Sequence, residues 1–431
     1  MSKVKLTDCP LAFQHLLAMF GSTVLVPLLT GMSPSMALFC AGIGTLIFHA
    51  CTKFKVPVFL GSSFAFIPAL CTIINGNAAN IPLAQGGIIV AGAIYLVFSL
   101  LVLLIGTERV CKIVPPVVTG PAIIIIGLSL TSVGISDAIG KNDMLNQGSM
   151  LQCSAIALFT FIVVVGCMST KARIPRMVPI LIGMVSGYLL CICLYFMGLY
   201  KMDFSPISSA TWMNVPYKNG FMSVPQFSLQ AILVIAPIAI VTFLEHLGDV
   251  TTIGAVTGNN FYKDPGLHRT LLGDGLATSV AGFFGGPPNT TYSENTGVLA
   301  STGNHNPALL RMAAYLAILL GLFGKFGATL QVIPVPVKGG IEIILFGMIA
   351  SVGIRTINDA NIDLKNIRNL TIIGAMLCCG IGFGSGLPVV IHGIDVNISS
   401  LFIATVVGVI LNLCLPKEMR GNEPIAKKEN K

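Results

Sequence analysis

The chain has 431 residues, 54% of them hydrophobic and only 10% charged, whereas soluble globular proteins carry about 25% charged residues. A chain this poor in charge cannot cover its own surface in water, so the bilayer is its solvent and a soluble enzyme or binding module is excluded. Its net charge of +8 sorts by loop, as shown below, and needs no nucleic-acid partner to explain it.

A spanning helix takes roughly 20 apolar residues. By that ruler the first half has candidate spans at 11–31, 35–52, 56–72, 85–106, 116–135, 151–168 and 176–198. The second half has them at 228–249, 271–286, 291–303, 306–324, 334–353, 369–384 and 398–415. The run Ile123–Ile126 marks the fifth span; 56–72, 271–286 and 291–303 are short or polar. The amino terminus carries Lys3, Lys5 and Asp8 before a span too long for a cleavable signal, so it is not read as a signal peptide. The 12 cysteines are scattered and lack metal-ligand spacing, which predicts small buried or lipid-facing apolar groups and no metal site.

Alternate loops collect very different numbers of cations. The side of the amino terminus receives 20 of the 25 Lys and Arg residues; the other receives Lys141, Lys201, Lys218, Lys325 and Lys338. Positive charge stays inside, which predicts cytoplasmic termini and an even number of spans, here fourteen. The charged tails 1–10 and 417–431 lie outside the bundle, and the second is predicted disordered.

A weak repeat runs through the chain at a separation of 231 residues. Gln14-His15-Leu16 corresponds to Glu245-His246-Leu247, and Gly61-Ser62-Ser63-Phe64 to Tyr292-Ser293-Glu294-Asn295. Seven spans per repeat is odd, so the second half enters upside down, the plan of secondary transporters whose sites lie at discontinuous helices. The proline-led segments 57–66 and 286–297 are therefore predicted to be interrupted and to face each other. Broken backbone at that depth is tolerated only where protein or a cavity surrounds it.

Ionisable side chains within spans are functional candidates. Glu245 and Asp249 are four apart on one helix face; two carboxylates that close in a dry setting do not both stay ionised, which makes them candidate proton carriers. Glu294, beside a helix start, is placed to accept from a ligand N–H while freed backbone N–H groups serve ligand carbonyls; the competing reading is a capping role for Ser293 or Asn295. Asp274 reads as a helix cap or a partner for Arg269 near the cytoplasmic face, His15 and His246 as packing groups, and His268 as a loop residue. Phe64 and Tyr292, one in each interrupted segment, suit a planar heterocycle.

These motifs resemble the nucleobase–ascorbate transporter family over essentially the whole chain, its bacterial uracil permease branch most closely. Gln14-His15 resembles the family's first-helix pair, and Val58–Phe66 its third-helix motif. Glu245-His246 with Gly248 is similar to the eighth-helix motif; Glu294-Asn295, Gly297 and Thr302-Gly303 are similar to the tenth-helix signature. The resemblance implies an all-α membrane fold of fourteen spans in two inverted repeats. Core segments 11–108 and 227–333 would move against gate segments 109–226 and 334–416 within a homodimer. It implies proton symport of uracil, bound by Glu245 and Glu294 with Phe64, Tyr292, Ser293 and Ser63 around the ring. Glu245, Asp249 and Glu294 would carry coupling; Gln14, His15, His246, Asn295 and Asp274 would support them. No cofactor is implied beyond H⁺, with Na⁺ left open.

The chain departs from that pattern. Uracil permeases resembling it have histidine in place of Asp249, whereas xanthine and urate carriers have aspartate there and at Asp274, but glutamine in place of Glu294. A purine permease is thus the alternative substrate reading. A membrane-embedded enzyme is disfavoured because positions 245 and 246 point about 100° apart on a helix. An anion exchanger is disfavoured because no basic residue lies within the core of either interrupted segment.

Overall fold

The computed structural model describes residues 9–113, 115–142, 148–214, 222–384, 386–391 and 394–416. The tails 1–8 and 417–431, with Lys3, Lys5, Asp8 and the last five cations, lie outside the described residues, as does Lys218.

The first half runs α1 (Cys9–Thr30), α2 (Pro34–Cys51), β1 (Leu60–Ser62), α3 (Ile67–Ile74), α4 (Ile81–Ile105), α5 (Thr107–Ile113), α6 (Pro116–Ala138), α7 (Met150–Ser169), α8 (Arg173–Met177), α9 (Pro179–Phe196) and α10 (Ser205–Ser209). The second runs α11 (Leu229–Ile235), α12 (Ile238–Thr257), α13 (Leu267–Phe284), β2 (Asn289–Thr291), α14 (Ser293–Thr302), α15 (Pro307–Leu322), α16 (Gly324–Gln331), α17 (Val335–Asp359), α18 (Ile367–Gly382), β3 (Leu387–Ile391), β4 (Ile394–Ile398) and α19 (Ser400–Cys414). Among the described residues eight helices, counting α11 and α12 as one, are long and apolar enough to cross a membrane; four shorter apolar helices accompany them. The protein is a multi-pass, essentially all-helical membrane protein.

Local chemistry sets the helix ends. Asn306 and Asn366 cap α15 and α18 by accepting from Ala308 and Arg368 N–H. Ser149 and Gln152 form a reciprocal capping box on α7. Gly258 closes α12 with φ of +71°, a conformation glycine adopts without a side-chain penalty.

Several boundaries differ from expectation. The predicted span 228–249 is two helices, parted at Ala236-Pro237, and the second runs on to Thr257. The ninth begins at Leu267, four residues early, which moves Asp274 two turns into the helix. A β3–β4 hairpin occupies part of the 385–397 connection, where the alternation Ile394-Asp395-Val396-Asn397-Ile398 gave a strand signal that the span reading passed over.

Two groups of elements pack chiefly within themselves. In one, α2 packs on α15 and α13 packs on α4, while α2 and α13 also meet each other. In the other, α6 lies along α17, α7 on α9 and α18 on α19. Contacts between α1 and α9 and between α12 and both α6 and α19 join the groups.

Candidate functional site

Between α2 and α13 the two proline-led segments leave helical geometry. Pro57, Pro287 and Pro288 supply no backbone donor and disfavour helix in the residue before them. The remaining donors pair across the gap: Leu60 opposes Thr291, Gly61 opposes Thr290 and Ser62 opposes Asn289 in an antiparallel ladder. Ser63 N–H donates to Pro288 O at 2.9 Å, and Tyr292 N–H to Phe59 O at 3.1 Å. The segments expected to face each other are thus hydrogen-bonded partners, and the short helices α3 and α14 leave the ladder from its two strands.

Around this ladder the predicted side chains gather. Glu245 has Asp249, Asp274 and Glu294 as electrostatic neighbours. Ser22 on α1 donates to Glu294 Oε1 at 2.7 Å, and Thr291 on β2 donates to Asp249 Oδ2. Neither donor stood out in the sequence, because a hydroxyl by itself carries no motif: Ser22 lies in an apolar span, and Thr291 is one of several hydroxyl residues in a polar segment. Asn295 donates to His15 O at 2.9 Å and reaches His15 Nδ1 at 3.3 Å, joining α14 to α1. Helix α14 starts at Ser293, with Tyr292 in the cap position and no side-chain cap, so the competing reading of Ser293 or Asn295 as its cap does not hold.

Asp274 corrects the sequence reading. It neither caps a helix nor meets Arg269, whose guanidinium donates to Cys51 O at 3.2 Å. It is fully buried, and Oδ2 lies 3.1 Å from His246 Nδ1. Its other oxygen, Oδ1, has no hydrogen-bond partner. His246 Nε2 bonds Thr270 Oγ1 at 2.9 Å, so His246 belongs to a polar network. His268 opens α13, where its carbonyl accepts from Ser99 at 2.6 Å.

The aromatic pair divides. Phe64 is buried and sets its ring edge-on to Phe346 of α17, 6.4 Å between centroids. Tyr292 lays its ring against Gly61 and donates its hydroxyl to Ser62 O at 2.8 Å. Ser293 is exposed.

Several buried polar atoms here have no protein partner: Glu245 Oε2, Ser63 Oγ, Gln14 Nε2, Thr290 Oγ1 and Asn295 Oδ1. Native proteins rarely leave such atoms unsatisfied, and a cluster of them around a backbone break calls for a ligand or water. Glu294 also lines a cavity of about 600 Å³ between α1 and α14 on one side and α9 and α17 on the other. Lys171 and Arg176 lie on its wall, two cations that a reading confined to the interrupted segments had no reason to weigh. Among the described residues no group of His, Cys, Asp and Glu could hold a metal.

A family model described as a permease family matches residues 8–389. A probable uracil permease of Pasteurella multocida is 42% identical over 413 residues, spanning 96% of this chain and 94% of its own. Uracil permeases of Bacillus subtilis and Escherichia coli K12 are 40% and 37% identical, over 94% and 95% of this chain and 92% and 91% of theirs. Among solved structures, the transmembrane domain of the cyanobacterial bicarbonate transporter BicA superposes with a TM-score of 0.62 at 13% identity, covering 95% of this chain and 97% of that one. Murine solute carrier 26 member A9, an anion transporter, gives 0.67 at 12% identity, covering 96% and 69%. At that identity the likeness is one of fold.

Proposed function

The chain belongs to the nucleobase–ascorbate transporter family, in its bacterial uracil permease branch, and on that premise we propose that it imports uracil across the cytoplasmic membrane together with a proton. The observation that carries the reading is the set of unpartnered polar atoms around the β1–β2 ladder, bordered by Glu245 and Glu294. Uracil is flat, neutral at pH 7, and presents an N–H between two carbonyls. Carboxylates accept from its N–H groups, uncapped backbone donors at the start of α14 serve its oxygens, and Phe64 offers an apolar face. Ser63 adds a hydroxyl, while Tyr292 acts by tying the two strands that carry the site.

A neutral solute gains nothing from the membrane potential unless a cation travels with it. One proton supplies about 2.3 kcal/mol per 100 mV, enough for roughly 50-fold accumulation, since about 1.4 kcal/mol is tenfold. Glu245, Asp249 and Glu294 carry the coupling: a carboxylate that binds substrate in one protonation state links the two flows.

The same reading includes fourteen spans in two inverted repeats, interrupted at the third and tenth, with both termini cytoplasmic. The packing supports it, because the second element of each half lies on the fourth of the other, α2 on α15 and α13 on α4. The group containing α6, α7, α9, α17, α18 and α19 acts as a gate against which the core carrying the ladder moves, within a homodimer.

Asp249 and Asp274 favour a second reading, a xanthine- or urate-type permease. The test is uptake of labelled uracil and of labelled xanthine in cells lacking their own carriers, for the native protein and Glu294→Gln, with and without a protonophore. Uracil accumulation that both the protonophore and the substitution abolish upholds the proposal. Xanthine entry without uracil entry replaces uracil by a purine, and uptake indifferent to the protonophore removes the proton.

A further inference from the structure

A second group of buried charges lies away from the ladder, where α6 and α17 cross. Glu342 sits seven residues into α17 and is 0% exposed, and neither of its carboxylate oxygens has a hydrogen-bond partner. Its Cβ packs on α6 where Gly134 has no side chain: a methyl group there would lie 3.1 Å from it. One turn earlier on the same face is Lys338, half-buried. Asp137 ends α6, 4% exposed, and accepts from exposed Asn142 at 2.6 Å. Gly339 allows the backbones to touch, since a Cβ on it would meet Ala138 Cα at 2.6 Å. Asp137 and Lys338 are the charged groups that act on Glu342.

Two carboxylates and one ammonium leave one negative charge unbalanced. Burying a carboxylate charge is strongly unfavourable unless it is paired and hydrogen-bonded, and Glu342 has no such bond. A hard cation would need several oxygen ligands, yet neither Glu342 oxygen has a polar partner, and among the described residues no metal-holding group exists. A proton needs no such shell.

We propose that Glu342, with Asp137 and Lys338, forms a proton-exchange site at the α6–α17 crossing, separate from the carboxylates around Glu294. The proton binds one carboxylate oxygen of Glu342 as an O–H bond and returns to water at the end where Asn142 is exposed. One turn further along α17, Phe346 meets Phe64 from the ladder segment, so the charge at Glu342 bears on the helix that faces the substrate site.

The proposal rests on a transporter reading but not on which nucleobase is carried, and its first readout needs no substrate. Infrared difference spectra of the purified full-length protein, reconstituted in lipid, follow the carboxylic-acid C=O stretch across roughly pH 5 to 9, a range in which exposed carboxylates are already ionised over most of its width. A band that titrates in the native protein, vanishes in Glu342→Gln and persists in Glu294→Gln is the expected result. Lys338→Met removes the cation and moves that titration toward alkaline pH; it carries the test alone if Glu342→Gln does not assemble. In uptake, Lys338→Met displaces the pH profile while Glu342→Gln flattens one limb. A band that does not titrate, that survives Glu342→Gln, or that ignores Lys338→Met overturns the proposal, whatever the substrate proves to be.

Discussion

Gly61→Ala tests whether the β1–β2 ladder is the working part of the site. A methyl group on residue 61 would overlap the Tyr292 ring and lie 2.6 Å from Thr23 Oγ1. The ring cannot swing aside cheaply, because its hydroxyl is held by Ser62 O and its backbone N–H by Phe59 O. Strand β1 cannot retreat without breaking the pairing of Leu60 with Thr291. Overpacking of this kind costs about 1–3 kcal/mol, and at about 1.4 kcal/mol per factor of ten that is roughly 5- to 150-fold. Falling on the ladder, the cost should appear as weaker uracil binding by calorimetry on purified protein and as a raised KM for uptake. Tyr292→Leu in the same chain removes the overlapping ring, so the double variant should recover part of the loss, with a coupling energy of about 0.5–3 kcal/mol. A Gly61→Ala protein that binds as the native one does, or a defect equally deep in the double variant, would refute the argument that this crossing shapes the site.

Thr291→Val deletes the hydroxyl that donates to Asp249; hydrogen bonds to charged groups are worth about 1.5–3 kcal/mol, so uptake should fall about tenfold or more, and Thr291→Ser should restore it. Equal rates in all three would show that the bond has no part in transport. Asn295→Ala breaks the tie to His15 O and should lower the thermal unfolding midpoint of detergent-solubilised protein, the loss being about 1 kcal/mol. Lys55 and Asp264 form an ion pair whose side chains are 46% and 65% exposed. Exposed pairs contribute about 0–1 kcal/mol, so Lys55→Ala should leave uptake and the unfolding midpoint within error, and a large drop in either would show that this contact holds the two loops.

The legibility of this protein in its sequence tracks how each feature is encoded. Long apolar runs such as Ile123–Ile126 declare their helices, because lipid imposes a length that composition reveals. The prolines at 57, 287 and 288 declare the breaks, since each removes a donor from a helix. Glu245 and Glu294 stood out as charges in polar surroundings at repeat-related positions. Ser22, Thr291 and the true partner of Asp274 did not, because a single polar side chain carries no motif by itself, and partners 28 to 272 residues apart meet only once the chain is folded. Glu342 escaped for a further reason: it stands inside the predicted span 334–353 without a motif around it, and its burial follows from glycines at 134 and 339 that the eye passes over.

The strands, unexpected in so apolar a chain, follow from the same physics as the helices. Within a membrane protein each backbone N–H and C=O must find a partner inside the protein. A helix satisfies them alone, but a helix stopped by proline exposes up to four groups at each broken end. Two such breaks side by side satisfy one another: Leu60–Ser62 bonds Asn289–Thr291, with Ser63 and Tyr292 extending the pairing at either end. Not every side-chain group on the pairing segments finds such a partner: Ser63 Oγ, Thr290 Oγ1 and Asn289 Oδ1 remain open. The ladder thus closes the backbone's account and leaves these three side-chain atoms open, which is why a polar ligand, and not further folding, is the natural complement of this part of the chain.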